Sequence, residues 1–144
     1  MTLFLPVTLT AAGAAALLNF WLGVRISRIR VSNRILHGEG PNGELTTRMR
    51  AHLNFTEYAP ITLILIALIE LATGPTIWLW GFAAAFLLGR ALHAVGMVAR
   101  LWMRQAGMLL TFLPMLALAG YAIYLGAQAP KQPPTTVFKI RPVG

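Results

Sequence analysis

Along the chain, long apolar stretches alternate with short polar breaks. The first stretch runs from Leu3 to Val24 without a charge, interrupted only by Pro6, threonines and Asn19. The second is apolar from Tyr58 to Ile69 and needs its polar upstream turns, from about Thr46, to reach spanning length. The third runs from Ile77 to Arg100 and carries Arg90 and His93, whereas the fourth, Ala106 to Ala127, holds no ionisable residue and reads as plain membrane filler. A bilayer core roughly 30 Å thick asks for about 20 residues of helix. The pattern therefore predicts an all-α fold: a membrane bundle of four transmembrane helices.

The breaks carry turn formers. His37, Gly38, Gly40, Pro41, Asn42 and Gly43 fall between Ser32 and Glu44, and Thr73, Gly74 and Pro75 separate the second and third spans. The third connection is expected near Gln105 to Gly107. Beyond Ala127 comes a run with Pro130, Pro133 and Pro134, so the organisation is one transmembrane domain over 1–127 and a proline-rich tail over 128–144.

Composition agrees with the pattern. Of 144 residues, 57% are hydrophobic and 11% charged, too apolar for an ordinary soluble domain of this size. The first span lacks a basic region before it and a small-residue cleavage site after it, so it reads as retained rather than as a signal peptide. No cysteine is present, which excludes disulfides, thiolate metal sites and a cysteine nucleophile; any thiol chemistry must come from a ligand. His37, His52 and His93 lack metal-ligand spacing, so no metal is expected. No phosphate-binding Gly-Lys-Ser/Thr and no Gly-x-Ser-x-Gly occurs either.

The net charge of +8 would suit nucleic acid, but the arginines sit at span ends with no soluble domain to present them, so no nucleic-acid partner is expected. Arg25, Arg28, Arg30, Arg34, Arg48 and Arg50 flank the first connection, and Arg100 and Arg104 flank the third. Enrichment of arginine on cytoplasmic flanks places those connections inside the cell and both termini outside, with Lys131, Lys139 and Arg141 in the tail as a mild dissent.

Polar residues within spans bring in chemistry. At about 100° per residue, Arg50, Asn54 and Glu57 share a narrow stripe, with Tyr58 beside it. Ionisable groups at membrane depth mark a functional site by default; the bland alternative is an internal Arg50–Glu57 salt bridge that only joins helices. If the third helix continues past the membrane edge, Arg90, His93, Met97, Arg100 and Arg104 fall within about 80° and form a basic stripe suited to an anion. His93 is alternatively a neutral hydrogen-bonding residue between helices. Glu70 lies on another face of the second helix and reads as a polar anchor, Asn19 as an interhelical hydrogen bond and Pro114 as a kink.

The run Arg50-Ala-His52-Leu-Asn54-Phe-Thr-Glu57-Tyr58-Ala-Pro60, with Glu70 beyond it, resembles the signature of the MAPEG family, the membrane-associated proteins in eicosanoid and glutathione metabolism. Gly89-Arg90-Ala-Leu-His93-Ala-Val-Gly96-Met97 is similar to the third helix of bacterial members. The resemblance covers Leu3 to Ala127. It implies a homotrimer of four-helix subunits in membrane lipid, as in the bacterial inner membrane, binding glutathione between neighbours near the cytoplasmic face. Arg50, Asn54, Glu57 and Tyr58 would then hold glutathione, with Glu57 meeting its ammonium group and arginine a carboxylate. His52, Arg90 and His93 would line the same pocket.

By spacing, Arg104 matches the arginine that activates the thiol, with Arg100 competing for that role and Arg25 or Arg28 assisting from the first helix. A departure is Met97, which stands with His93 where several relatives place tyrosines. The implied function is a glutathione S-transferase or peroxidase acting on lipophilic electrophiles or lipid peroxides. The alternative is a non-catalytic lipid-binding or accessory protein of the same fold.

Overall fold

The computed structural model describes residues 4–40 and 43–128, which form four helices: α1 (Pro6–Ser32), α2 (Glu44–Thr73), α3 (Ile77–Gly96) and α4 (Leu101–Gln128). All four are long and apolar enough to cross a membrane. The tail expected beyond Ala127 lies outside the described residues, apart from Gln128, which closes α4. α3 packs most extensively on α4, and α1 on α2.

Two apolar clusters fill the bundle. One joins Val7 and Ala11 of α1 to Ile66, Leu79 and Leu118 near the chain's N-terminal end. The other joins Leu22 to Phe55, Phe86 and Ala94 near the α3–α4 turn. Large side chains such as Leu17, Phe20, Leu116 and Ile123 point outward, the surface that lipid covers when a helix crosses a bilayer.

Twenty residues of α3 rise about 30 Å, the thickness of the hydrocarbon slab, so α3 marks its edges. α1 is longer than its apolar stretch because the arginine-bearing turns after Val24 are good helix formers and continue the helix to Ser32. Arg25 donates from Nη1 to the carbonyl of Ala94 at 3.3 Å, which sets the end of α3 level with Arg25. The seven residues after Arg25 thus project roughly 10 Å past α3, into the headgroup layer.

α1 ends in a Schellman motif: Ile35 N–H donates to the Arg30 carbonyl at 2.9 Å and Arg34 N–H to the Val31 carbonyl at 3.3 Å. Arg34 takes the left-handed position, φ 53°, where glycine is usual and another residue costs about 1–2 kcal/mol.

The other end of α1 is held by Glu70 of α2, a carboxylate 2% exposed. It accepts hydrogen bonds from the backbone N–H groups of Val7 (2.9 Å) and Thr8 (2.8 Å) and from the Thr8 hydroxyl (2.6 Å). Leu5, which precedes α1, supplies no side-chain cap, so Glu70 satisfies donors the helix start leaves open and places negative charge at the positive end of the helix dipole. This is the anchoring that the sequence suggested for Glu70 without naming its partner.

The third connection corrects the sequence expectation. It falls at Met97–Arg100, and Gln105 and Gly107 lie inside α4. The basic stripe on a continuing third helix therefore does not form: α3 stops at Gly96, and Arg104 belongs to α4. Gly107 breaks nothing, because its role is contact. A Cβ there would run into the His93 backbone nitrogen and, at 2.7 Å, the Gly89 carbonyl oxygen. Gly89 and Gly96 likewise face the α4 backbone, so the hairpin closes on glycines, as close-packed membrane helices do.

Replacing Gly107 with Ala should destabilise the protein in denaturant unfolding from detergent, against the gain of up to about 1 kcal/mol that alanine brings to a helix interior. Gly120→Ala, in the same helix with open space around it, should be neutral or stabilising, and equal effects of the two changes would refute the close contact.

Candidate functional site

Arg90 is the most deeply placed cation of the bundle, 1% exposed. Its Nη2 donates to Asn54 Oδ1 at 2.6 Å and its Nη1 to Thr111 Oγ1 at 3.3 Å. Thr111 in turn donates to the Gly107 carbonyl at 2.8 Å. The guanidinium also lies 5.7 Å from the centre of the Tyr58 ring, and Tyr58 packs edge-on against Phe112 at 5.3 Å. One side chain of α3 thereby ties α2 to α4, and its contact with Thr111 relies on the glycine-mediated approach of the hairpin.

That bond fixes Asn54. With Oδ1 held by Arg90, the amide nitrogen of the half-buried Asn54 is the donor left for a further partner. Tyr58 is half-buried beside it, while Arg50 and Glu57 are exposed on the same helix. The internal salt bridge between Arg50 and Glu57 is not formed; among the described residues the ion pair is Arg48 with Glu44, 2.6 Å, in the first turns of α2. Seven residues separate Arg50 from Glu57, about 10 Å along the helix. The face thus presents a cation and an anion two turns apart, with an amide donor between them.

His52 leaves this stripe. Its Nε2 pairs with Asn19 Oδ1 at 2.7 Å across α1 and α2, which is the interhelical bond expected of Asn19. His93, 5% exposed, packs inside the bundle, and its Nδ1 has no partner among the described residues. Arg90 and His93, which the resemblance puts in the lining of the glutathione pocket, are both buried within the single subunit. The α2 helix turns its Asn54 side toward α3, and the glycine contacts draw α4 over the rest.

Arg104 and Arg100 are exposed and line an open depression of about 250 Å³ at the α3–α4 turn, together with residues of the turn itself. No α2 residue lines it, so within one chain the α2 face and the two arginines are separate. Of the first-helix arginines, Arg25 is engaged with Ala94 and stacked 4.6 Å over the Trp21 ring, whereas Arg28 is exposed. Thr111 is the contributor that sequence reasoning missed. Its signal was a single threonine in an otherwise apolar stretch, four residues after a glycine.

Comparison with known proteins agrees with this architecture. The sequence profile of the MAPEG family matches residues 8–124. The inner membrane protein YecN of Escherichia coli K12 is 33% identical over 104 residues, covering 71% of this chain and 79% of YecN. The YecN of Escherichia coli O6:H1 strain CFT073 matches to the same extent.

The buried network and the open face should separate by mutation. Arg90→Ala leaves a cavity and unpartnered polar groups and should lower unfolding stability by about 2–4 kcal/mol. Glu57→Ala, at an exposed residue, should change it by less than about 0.5 kcal/mol. Chemical denaturation in detergent measures both, and a large loss from Glu57→Ala would show that this carboxylate holds the subunit together.

Proposed function

This chain belongs to the MAPEG family, and from that premise we propose that it is a membrane glutathione S-transferase or peroxidase acting on lipophilic electrophiles or lipid peroxides. The observation that carries the reading is the α2 face: Arg50 and Glu57, opposite in charge, exposed and not joined to each other, flank a half-buried Asn54 whose oxygen is held by Arg90 and whose amide nitrogen is left as a donor. Glutathione offers the complement, with carboxylates for a guanidinium, an ammonium group for Glu57 and backbone carbonyls for an amide donor.

The site is completed in a homotrimer, where the α2 face of one copy meets the arginine-bearing α3–α4 turn of its neighbour. Arg104 then acts on the sulfur. A free thiol has a pKa of about 8.5, and a guanidinium beside it favours the thiolate; two units of lowering correspond to about 2.7 kcal/mol. In conjugation, the thiolate sulfur forms a bond to the electrophilic carbon and the leaving group departs with the displaced electron pair. In peroxide reduction, two glutathione thiols are oxidised to the disulfide while the hydroperoxide becomes an alcohol and water. The arginine-rich end faces the cytoplasm, where glutathione is abundant, and the second substrate arrives through lipid.

A second reading is a non-catalytic lipid-binding protein of the same fold. The open apolar groove of about 510 Å³ between α3 and α4, lined by Trp78, Phe82, Leu113 and Pro114 among others, favours it. Such a groove suits an acyl chain whether or not chemistry follows.

Calorimetric titration of glutathione into detergent-purified protein should give saturable binding, and Arg50→Ala should weaken it by about 2 kcal/mol or more, roughly thirtyfold. Arg104→Ala should retain binding and lose turnover of a soluble test electrophile such as a chlorinated dinitrobenzene. Absence of binding to the wild-type protein would sink the transferase reading and leave the lipid-binding one.

A further inference from the structure

We propose that the membrane-exit turn of α1 is a seat for an anionic phospholipid, in which Arg30 and Arg34 meet the phosphate while Val31, Ile35 and Leu36 meet the upper acyl chains. These residues line an open depression of about 430 Å³, the two arginines bordering an apolar floor. Val31 is 79% exposed and Leu36 85% exposed. The depth fits. α1 beyond Arg25 extends past the end of α3, which puts the turn in the headgroup layer, where apolar side chains reach down to the acyl boundary and arginines meet phosphates.

The backbone is built to hold this arrangement. The Schellman bonds reverse the chain at Arg34 and set Ile35 and Leu36 beside the last turn of α1. Arg30 donates from Nη2 to the Gly38 carbonyl at 3.1 Å and to Met49 Sδ at 3.5 Å, which fixes its guanidinium at the rim. Arg34 occupies the left-handed position, φ 53°, that glycine would fill without strain. A charged side chain at such a position points to a use for the charge, since strained backbone positions cluster at functional sites. Charge complementarity selects the occupant: two arginines over an apolar floor match a headgroup with net negative charge better than a zwitterionic one.

Arg34→Gly tests the seat, because a purely structural turn would be unharmed or improved by glycine there. The detergent-purified full chain is mixed with equal amounts of phosphatidylglycerol and phosphatidylcholine of identical acyl chains, and retained lipid is counted by native mass spectrometry. Wild-type protein should retain phosphatidylglycerol preferentially. Arg34→Gly should keep or raise the melting temperature while lowering that retention about fivefold, the factor expected for one arginine at a lipid surface. Leu36→Ser should also weaken retention without unfolding. Glycerol 3-phosphate at matching concentration should not compete. Equal retention of both lipids by wild type, undiminished retention by Arg34→Gly, or full competition by glycerol 3-phosphate would each overturn the proposal.

Discussion

The Arg90 guanidinium sits where a charge is most costly, within the span of a membrane helix, and the bundle is arranged around making that position tolerable. An unpaired ion at such depth costs several kcal/mol, so the side chain has to find partners on other helices. It finds Asn54 on α2 and Thr111 on α4, and both bonds demand a fixed rotation and height of each helix relative to α3. Thr111 comes within reach because Gly107 and Gly89 let α4 approach α3 along their backbones. Glycine contact and arginine bonding are therefore one design: without the close approach the guanidinium loses a partner, and without the guanidinium nothing polar specifies the register of three otherwise apolar surfaces.

Glu70 performs the opposite operation at the other end. There the unmet groups are backbone donors at the start of α1, and a carboxylate from α2 meets them. The intramembrane polar residues thus divide by what they have to satisfy. Arg90 and Glu70 are buried and, like the more exposed His52–Asn19 pair between α1 and α2, spend their hydrogen bonds on the subunit. Arg50, Glu57 and Arg104 are turned outward.

Much of this was legible in the sequence. Helix number, the α2 stripe and the anchoring character of Glu70 and Asn19 follow from hydropathy, a period of 3.6 and the cost of polar groups in lipid. Three things were not. Gly107 was read as a turn former because a glycine that breaks a helix and one that packs against a neighbour look alike until the neighbour is known. The burial of Arg90 and His93 inside the subunit is the second, because hydropathy marks a residue as needing a partner without saying which helix supplies it. α4 was read as filler because a single threonine among apolar residues carries little weight until an arginine is found opposite it.

The outward group is exposed on the single chain. α3 marks the hydrocarbon slab, and Glu57 lies one turn deeper than the Asn54 that Arg90 holds, on the order of 10 Å inside the edge. A carboxylate facing acyl chains at that depth finds no partner in lipid, and Arg50 on the same stripe complements its charge but does not reach it. The inward residues show that this bundle meets buried charges with hydrogen bonds to neutral groups. It hydrogen-bonds Arg90 and Glu70 while leaving Glu57 and Arg50 exposed, and a partner bearing both signs of charge, such as the glutathione proposed above, would satisfy both residues at once.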